Sequence, residues 1–350
     1  MINSIVKKLL ALMLACLALL ACVSCDTTEK PPAETTASAT DAATEAPTEA
    51  PTEAPTEAET DPPIDTATDG RVRVLLASDL HYTTIETYYG VPADKRMQHF
   101  VDSVLIENEI QPIDLLVIVG DTSLDHLFKR GTWTVSKVST TLALREKYLS
   151  QIKAAGIPIF TLPGNHEQFN NEQWNQFAGN DRYGAIAIEG NLFVLLDAFS
   201  SNLEPNYDFE PTYVNHDINY IKEQMALHPE CKHVYLISHS FSLKESEAFK
   251  EFVRTEKRIV ALFRGHTHSS DIIDMGASWG NKKLCQTGNF SSYSVDSQEE
   301  LKEYFWGFRD IVITPSSSIT RYIVPEYKLM MGGKVLIDTQ RTTCKSARFY

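Results

Sequence analysis

Apolar residues in this chain come in short runs that stop abruptly at polar ones. Val72–Ala77, broken only by Arg73, runs into Ser78-Asp79-Leu80-His81. Leu115–Val119 runs into Gly120-Asp121, and Ile157–Leu162 into Pro163-Gly164-Asn165-His166. Runs of about 4–8 residues bounded by turn residues predict buried strands. Between them Met97, Phe100, Val101, Val104 and Leu105 recur at helical spacing. Leu144, Tyr148 and Ile152 mark a second helix, with Gly156 placed to stop it. The same pattern predicts strands at Ala185–Ile188, Leu192–Leu196, His233–Ile237 and Ile259–Phe263, and helices near Asp217–Leu227 and Leu243–Val253. From Lys283 onward the chain reads mostly as strand and turn. Strand–helix alternation followed by late strands predicts an α/β layered domain. No linker composition interrupts 71–325, which is read as one domain. Residues 326–350 are read as a C-terminal extension, either a final strand pair or a loose tail.

The first 70 residues follow other rules. Lys7 and Lys8 precede an uncharged apolar run, Leu9 to Val23. That is short of the roughly 20 residues a spanning helix needs. Residues 1–25 therefore read as a secretory signal. Leu19-Leu20-Ala21-Cys22 resembles a bacterial lipobox, which makes Cys22 the expected lipidation site, with Cys25 as the alternative. Residues 26–70 hold Ala-Pro-Thr-Glu three times and seven prolines, with almost no large apolar residues. Such a segment cannot bury a core and is expected to be a disordered tether. In polyproline II it would reach at most about 140 Å. The expected location is outside the cytoplasm, held to the cell membrane by an N-terminal lipid, or secreted if the lipid is absent.

Charge sharpens the function classes. The net charge is -14, and residues 26–70 carry -11 of it through five Asp, seven Glu and one Lys. The folded part is thus only mildly acidic. It shows no basic face of the kind that nucleic-acid binding by backbone electrostatics requires. Cys231, Cys285 and Cys344 allow at most one disulfide among themselves, and nothing in the sequence speaks to oligomeric state.

Five polar clusters each follow a predicted strand: Asp79-Leu80-His81, Gly120-Asp121, Gly164-Asn165-His166-Glu167, Ser238-His239-Ser240 and Gly265-His266-Thr267-His268. In open α/β sheets, sites form beyond the carboxyl ends of strands. Residues i and i+2 of an extended chain point to one side, so Asp79 with His81 and His266 with His268 can each offer two ligands to one cleft. Imidazole mixed with carboxylate oxygen suits Zn, Mn or Fe better than Ca or Mg. A pair of such metals is the usual clamp for phosphate-ester hydrolysis. Two divalent ions against two ionised aspartates and a hydroxide would leave the site positive, which favours an anionic substrate.

The ordered set Asp-x-His, Gly-Asp, Gly-Asn-His-Glu, His and Gly-His-x-His is similar to that of the calcineurin-like metallophosphoesterases, with motif residues running from 79 to 268. The resemblance implies a four-layer α/β/β/α sandwich of two mixed sheets. It implies one metal held by Asp79, His81, Asp121 and His268, and another held by Asp121, Asn165, His239 and His266. His166 would stand back from both, steadying a phosphate oxygen or protonating the leaving group. The implied reaction is hydrolysis of a phosphodiester or phosphomonoester by water activated at two metals, the substrate being a small molecule or an envelope component. The alternative is a surface binding protein on a phosphoesterase scaffold. Purple acid phosphatases place a tyrosine ligand shortly after the Gly-Asp; here Thr122, Ser123 and Leu124 follow. The motifs are more like the branch containing bacterial cyclic-nucleotide phosphodiesterases and many exported phosphohydrolases.

The remaining polar residues divide as follows. Glu167 either tunes His166 through a carboxylate–imidazole contact or is a solvated loop residue. Arg264 and Tyr82 are read as structural rather than as substrate contacts, and His126 as a solvated loop residue. His99, His216, His228 and His233 are expected at the surface.

Overall fold

The computed structural model describes residues 70–83, 89–124, 139–167, 169–200, 213–242, 245–291 and 305–350. The expected signal segment, all of the tether but Gly70, and His126 lie outside the described residues.

The first strand is β1 (Val72–Ala77), followed by helix α1 (Ala93–Ile110) and β2 (Leu115–Val119). Next come α2 (Thr140–Leu144), a π-helical turn (Arg145–Leu149) and α3 (Ser150–Ala154), which lead to β3 (Ile159–Leu162). The predicted second helix is therefore interrupted. Leu144, Tyr148 and Ile152 sit four residues apart, a spacing that drifts around a regular α-helix. The wider π turn realigns them, and all three are buried.

The middle of the chain holds α4 (Asn171–Ala178), β4 (Gly184–Ile188), β5 (Asn191–Leu196), α5 (Ile218–Leu227), β6 (His233–Ser238), α6 (Glu247–Thr255) and β7 (Ile259–Arg264). β8 (Ile272–Asp274), β9 (Lys283–Gln286), β10 (Phe308–Thr314), β11 (Ser317–Val324), β12 (Tyr327–Met331), β13 (Lys334–Thr339) and β14 (Thr342–Arg348) complete it. The helix predicted over Leu243–Val253 begins later, at Glu247, because Ser246 caps it through Phe249 N–H.

Two six-stranded mixed sheets carry the fold, in the orders β14-β11-β10-β1-β2-β3 and β4-β5-β6-β7-β9-β8. β1, β2 and β3 are parallel in the first, as are β5, β6, β7 and β9 in the second. Side-chain alternation then builds three apolar layers. Val72, Val74 and Leu76 of β1 meet Tyr235, Ile237 and Phe263 of the second sheet in the central layer. Leu75 and Ala77 face Met97, Phe100 and Val104 of α1. Leu192, Val194 and Leu236 face Ile221 of α5 and Phe249 of α6. The architecture is a four-layer α/β/β/α sandwich. Strands covered on both faces must be apolar throughout, which is why they read as unbroken runs.

Residues 326–350 do more than trail behind the domain. β12 and β13 form a two-stranded hairpin whose Leu329 and Ile337 join the α1 core, and β14 pairs with β11 as the edge of the first sheet. Helix α4 is a second departure, since the sequence reading left 168–184 as loop. Its signals are an Asn170–Gln173 capping box and a left-handed Gly179 at its end.

Candidate metal centre

Five parallel strands deliver the candidate ligands. Asp79 follows β1, Asp121 follows β2, Asn165 follows β3, His239 follows β6, and His266 and His268 follow β7. All leave the sheets at strand carboxyl ends, so both sheets feed one site. Extended backbone does not account for the paired ligands, however. Eight non-glycine residues among those described have positive φ, and five of them are Asp79, His81, Asp121, His266 and His268. Left-handed backbone at a non-glycine residue costs roughly 1–3 kcal/mol and persists only where its surroundings enforce it. Each strand thus breaks sharply at its ligand, and the side chains converge by turning rather than by alternation.

The two aspartates occupy different positions. Asp121 Oδ1 accepts from His166 N–H at 3.0 Å. Its Oδ2 lies 3.1 Å from His239 Nε2, 3.3 Å from His81 Nε2 and 3.6 Å from His166 Nε2. One oxygen therefore sits among imidazoles from three separate loops. Asp79 Oδ2 accepts from Ser78 Oγ and from His266 N–H. Its Oδ1 is buried and makes no hydrogen bond, with His268 Nε2 at 3.3 Å and His81 Nε2 at 3.8 Å. An orphaned buried carboxylate oxygen costs free energy unless something supplies positive charge. Asn165 Oδ1 lies 3.1 Å from His239 Nε2 and 2.9 Å from His266 Nδ1. An amide oxygen among imidazole nitrogens is a donor type that suits a metal site. Three groups result, each with ligand atoms within 4.8 Å of one another: Asp79, His81 and His268; His81, Asp121 and His166; Asp121, His239 and His266. This donor set fits a pair of transition-type divalent ions.

Electrostatics follow from burial opposed by opposite charge. Burial pushes the Asp121 carboxyl up, but the charges of His166 and His239 and the His239 and His81 contacts hold it well below the usual range. Asp79 is likewise lowered, burial being outweighed by the contact with and charge of His268. Burial pulls His239 down, yet Asp121 beside it raises it to about 9. His81, more weakly paired, is pulled down to about 4 by burial despite Asp121. Burial and the His239 charge lower His266, whereas Asp79 raises His268 against its burial.

Glycines beside the ligands are required by close approach. A Cβ on Gly120, which has φ +79°, would sit 2.4 Å from His239 Nδ1. One on Gly164 would sit 2.2 Å from Asp121 Oδ1.

Glu167 neither touches the His166 ring nor faces solvent. It is buried and accepts from the backbone N–H groups of Asp121 (3.0 Å), Ser123 (2.8 Å) and Gly164 (2.7 Å). It therefore ties the Gly-Asp loop to the Gly-Asn-His loop. Burial and the Asp121 charge raise its carboxyl to about 8. Arg264 donates to Phe241 O and to Gln286 Oε1, and Tyr82 is buried with its hydroxyl on Asp94, so both are structural. Two expectations fail. His99 is buried against Tyr327, with ring centroids 3.8 Å apart. His216 is buried between Glu245 Oε2 at 3.1 Å and Ser238 Oγ at 2.9 Å. Phe199, missed in the sequence, packs near the rings of His239 and His266 and walls that side of the cleft. None of Cys231, Cys285 and Cys344 is in a disulfide.

Known proteins resemble the chain in family and in fold. The model of the calcineurin-like phosphoesterase family matches residues 72–270, which include every candidate ligand. No curated protein sequence matches the chain. Among solved structures, a dimetal phosphatase from Danio rerio is 12% identical, the match covers 78% of this chain and 98% of that one, and the TM-score is 0.52. Vacuolar protein sorting 29 from Entamoeba histolytica, complexed with zinc, is 11% identical, with 80% and 100% covered and a TM-score of 0.36. The Danio rerio protein shares this fold.

Proposed function

The chain belongs to the calcineurin-like phosphoesterase family, and from that premise we propose that it hydrolyses a phosphodiester or phosphomonoester outside the cytoplasm. The observation that carries this reading is Asp121 Oδ2, shared among His239, His81 and His166 from three loops, beside Asp79 Oδ1, which is buried without a hydrogen bond and has imidazole nitrogens near it. Asp79, His81, Asp121 and His268 would hold one divalent ion. Asp121, Asn165, His239 and His266 would hold the other. Such ions, when bound, polarise phosphate oxygens and lower the pKa of water. The chain's own residues do the rest. Asp79 and Asp121 supply negative charge where the ions sit. The carbonyl of Val119, 2.7 Å from His239 Nδ1, fixes that ring with Nε2 toward Asp121. His166 has its main chain anchored on Asp121 and its side chain partly exposed. On this reading it would meet a substrate oxygen from the open side and pass a proton to the leaving group.

Export and lipid attachment at Cys22 are part of the same proposal and rest on the sequence alone. Radiolabelled palmitate incorporated into the wild type but absent from Cys22→Ala would support them; equal label in both would assign the anchor elsewhere.

The test of function is turnover. Protein stripped of metal and reloaded with manganese should hydrolyse a chromogenic phosphodiester or the matching monoester. His166→Ala should bind the metal and lose most of that rate. A folded sample that binds two metals and turns over neither ester, nor any of a panel of natural phosphate esters, would instead favour a surface binding role.

A further inference from the structure

We propose that Tyr89 is a positioning residue that sets the orientation of His81, and through it the first of the two metal positions. The proposal rests on the metal-site reading above. His81 is the candidate ligand whose placement most needs explaining. It has φ +45°, a left-handed backbone at a residue with a bulky side chain. Its ring nevertheless has to present Nε2 to both Asp121 Oδ2 and Asp79 Oδ1.

Three contacts hold it. The main-chain N–H of His81 donates to Asp121 O at 2.9 Å. Arg96, from the first turns of α1, clamps the peptide from the other side. Its Nη1 donates to Leu80 O and to Phe290 O, and its Nη2 to His81 O at 3.1 Å. The third contact is to the ring, where His81 Nδ1 lies 2.5 Å from Tyr89 Oη. A neutral imidazole that offers the Nε2 lone pair carries its proton on Nδ1, so Nδ1–H donates and the phenol oxygen accepts.

Tyr89 is itself oriented. The Arg96 guanidinium carbon lies 5.3 Å from its ring centroid, within cation–π range. One buried arginine therefore holds both the backbone of the ligand and the side chain that aims it. The two halves of the centre are built differently. His239 is aimed by a main-chain carbonyl at the end of β2, whereas His81 is aimed by a side chain outside every strand. The His81 half is thus open to loosening by a single conservative side-chain substitution.

The test is manganese binding to the metal-free full chain and to Tyr89→Phe, followed by calorimetry, with thermal unfolding of both metal-free forms beside it. Phe keeps the ring and its contact with Arg96 and removes the hydroxyl that accepts from His81. The expected result is two manganese sites in the wild type, and in the variant a drop of about tenfold in affinity at one site only, with the metal-free melting temperature unchanged. Equal affinity at both sites in the two proteins would overturn the proposal. So would a parallel loss at both sites with a lowered melting temperature, which would make Tyr89 a fold residue. A wild type that binds no manganese would remove the metal reading itself, a failure distinct from either.

Discussion

Strand β1 ends in two buried charge clusters of opposite character. At its start, Arg73 Nε donates to Asp310 Oδ1 at 2.9 Å and Nη2 to Glu107 Oε2 at 2.8 Å, while Nη1 reaches the carbonyls of Glu107 and Gln111. Arg321 adds a second cation to Asp310, and Arg341 a second to Glu107. At its other end, Asp79 and Asp121 face imidazoles across left-handed turns, and Asp79 Oδ1 is left without a hydrogen bond. The first cluster completes itself with charges of this chain. The second is arranged for charge from outside. A closed network fixes structure, whereas an open one of the same depth has to be maintained by the fold around it, here by Glu167, the close-packed glycines and the turns.

Substituting a member of each cluster should separate the two. Asp121→Ala should have the largest effect on function, because its Oδ2 lies among imidazoles of both proposed halves of the centre. Metal analysis should find both ions lost and turnover abolished, with the fold retained by circular dichroism. A variant that still holds two ions would refute the shared role. Arg73→Met should do the reverse. Removing one partner of a buried ion pair typically costs 3–5 kcal/mol. Arg321 and Arg341 remain to face the two acids, so the lower end, about 3 kcal/mol, is expected in urea unfolding, with metal affinity of the folded protein unchanged. A loss below about 1 kcal/mol would mean that those two arginines suffice.

A buried histidine without a carboxylate partner gives the most pH-dependent contrast, one that vanishes at neutral pH. His239, beside Asp121, is raised to about 9, whereas burial alone pulls His99 down to about 4. The folded state therefore resists protonating His99 while the unfolded state does not. Its contribution is present above the unfolded value near 6.5 and is lost as pH falls toward 4, by up to about 3 kcal/mol. His99→Phe keeps the stack on Tyr327 and should flatten the stability curve between pH 6.5 and 4 relative to wild type. Parallel curves would place the acid sensitivity elsewhere.

Legibility followed how local each signal was. β1 and β2 were readable to the residue because a doubly covered strand must be apolar and must stop at a turn. The motif residues were readable because each lies directly after such a strand. His99 and His216 were misread because histidine composition does not reveal burial; Tyr327 and Glu245, which decide it, are distant in sequence. Glu167 was misread for the same reason, since two of its three N–H donors come from the Gly-Asp loop. β14 left no apolar rhythm, because Thr342, Thr343 and Ser346 of an edge strand meet solvent. Helix α4 was the avoidable miss, with its capping box and terminal glycine in plain view.

By itself the sequence determined the strand order of the ligands, the layered α/β class and the donor types, because hydrophobic runs and turn residues act over a few positions. Only the tertiary structure decided that two sheets share one site, that Asp121 Oδ2 lies among imidazoles from three loops, and that Arg96 and Tyr89 stand behind His81. Those facts depend on residues brought together from far apart in the chain, by packing in which every side chain participates and none alone is decisive.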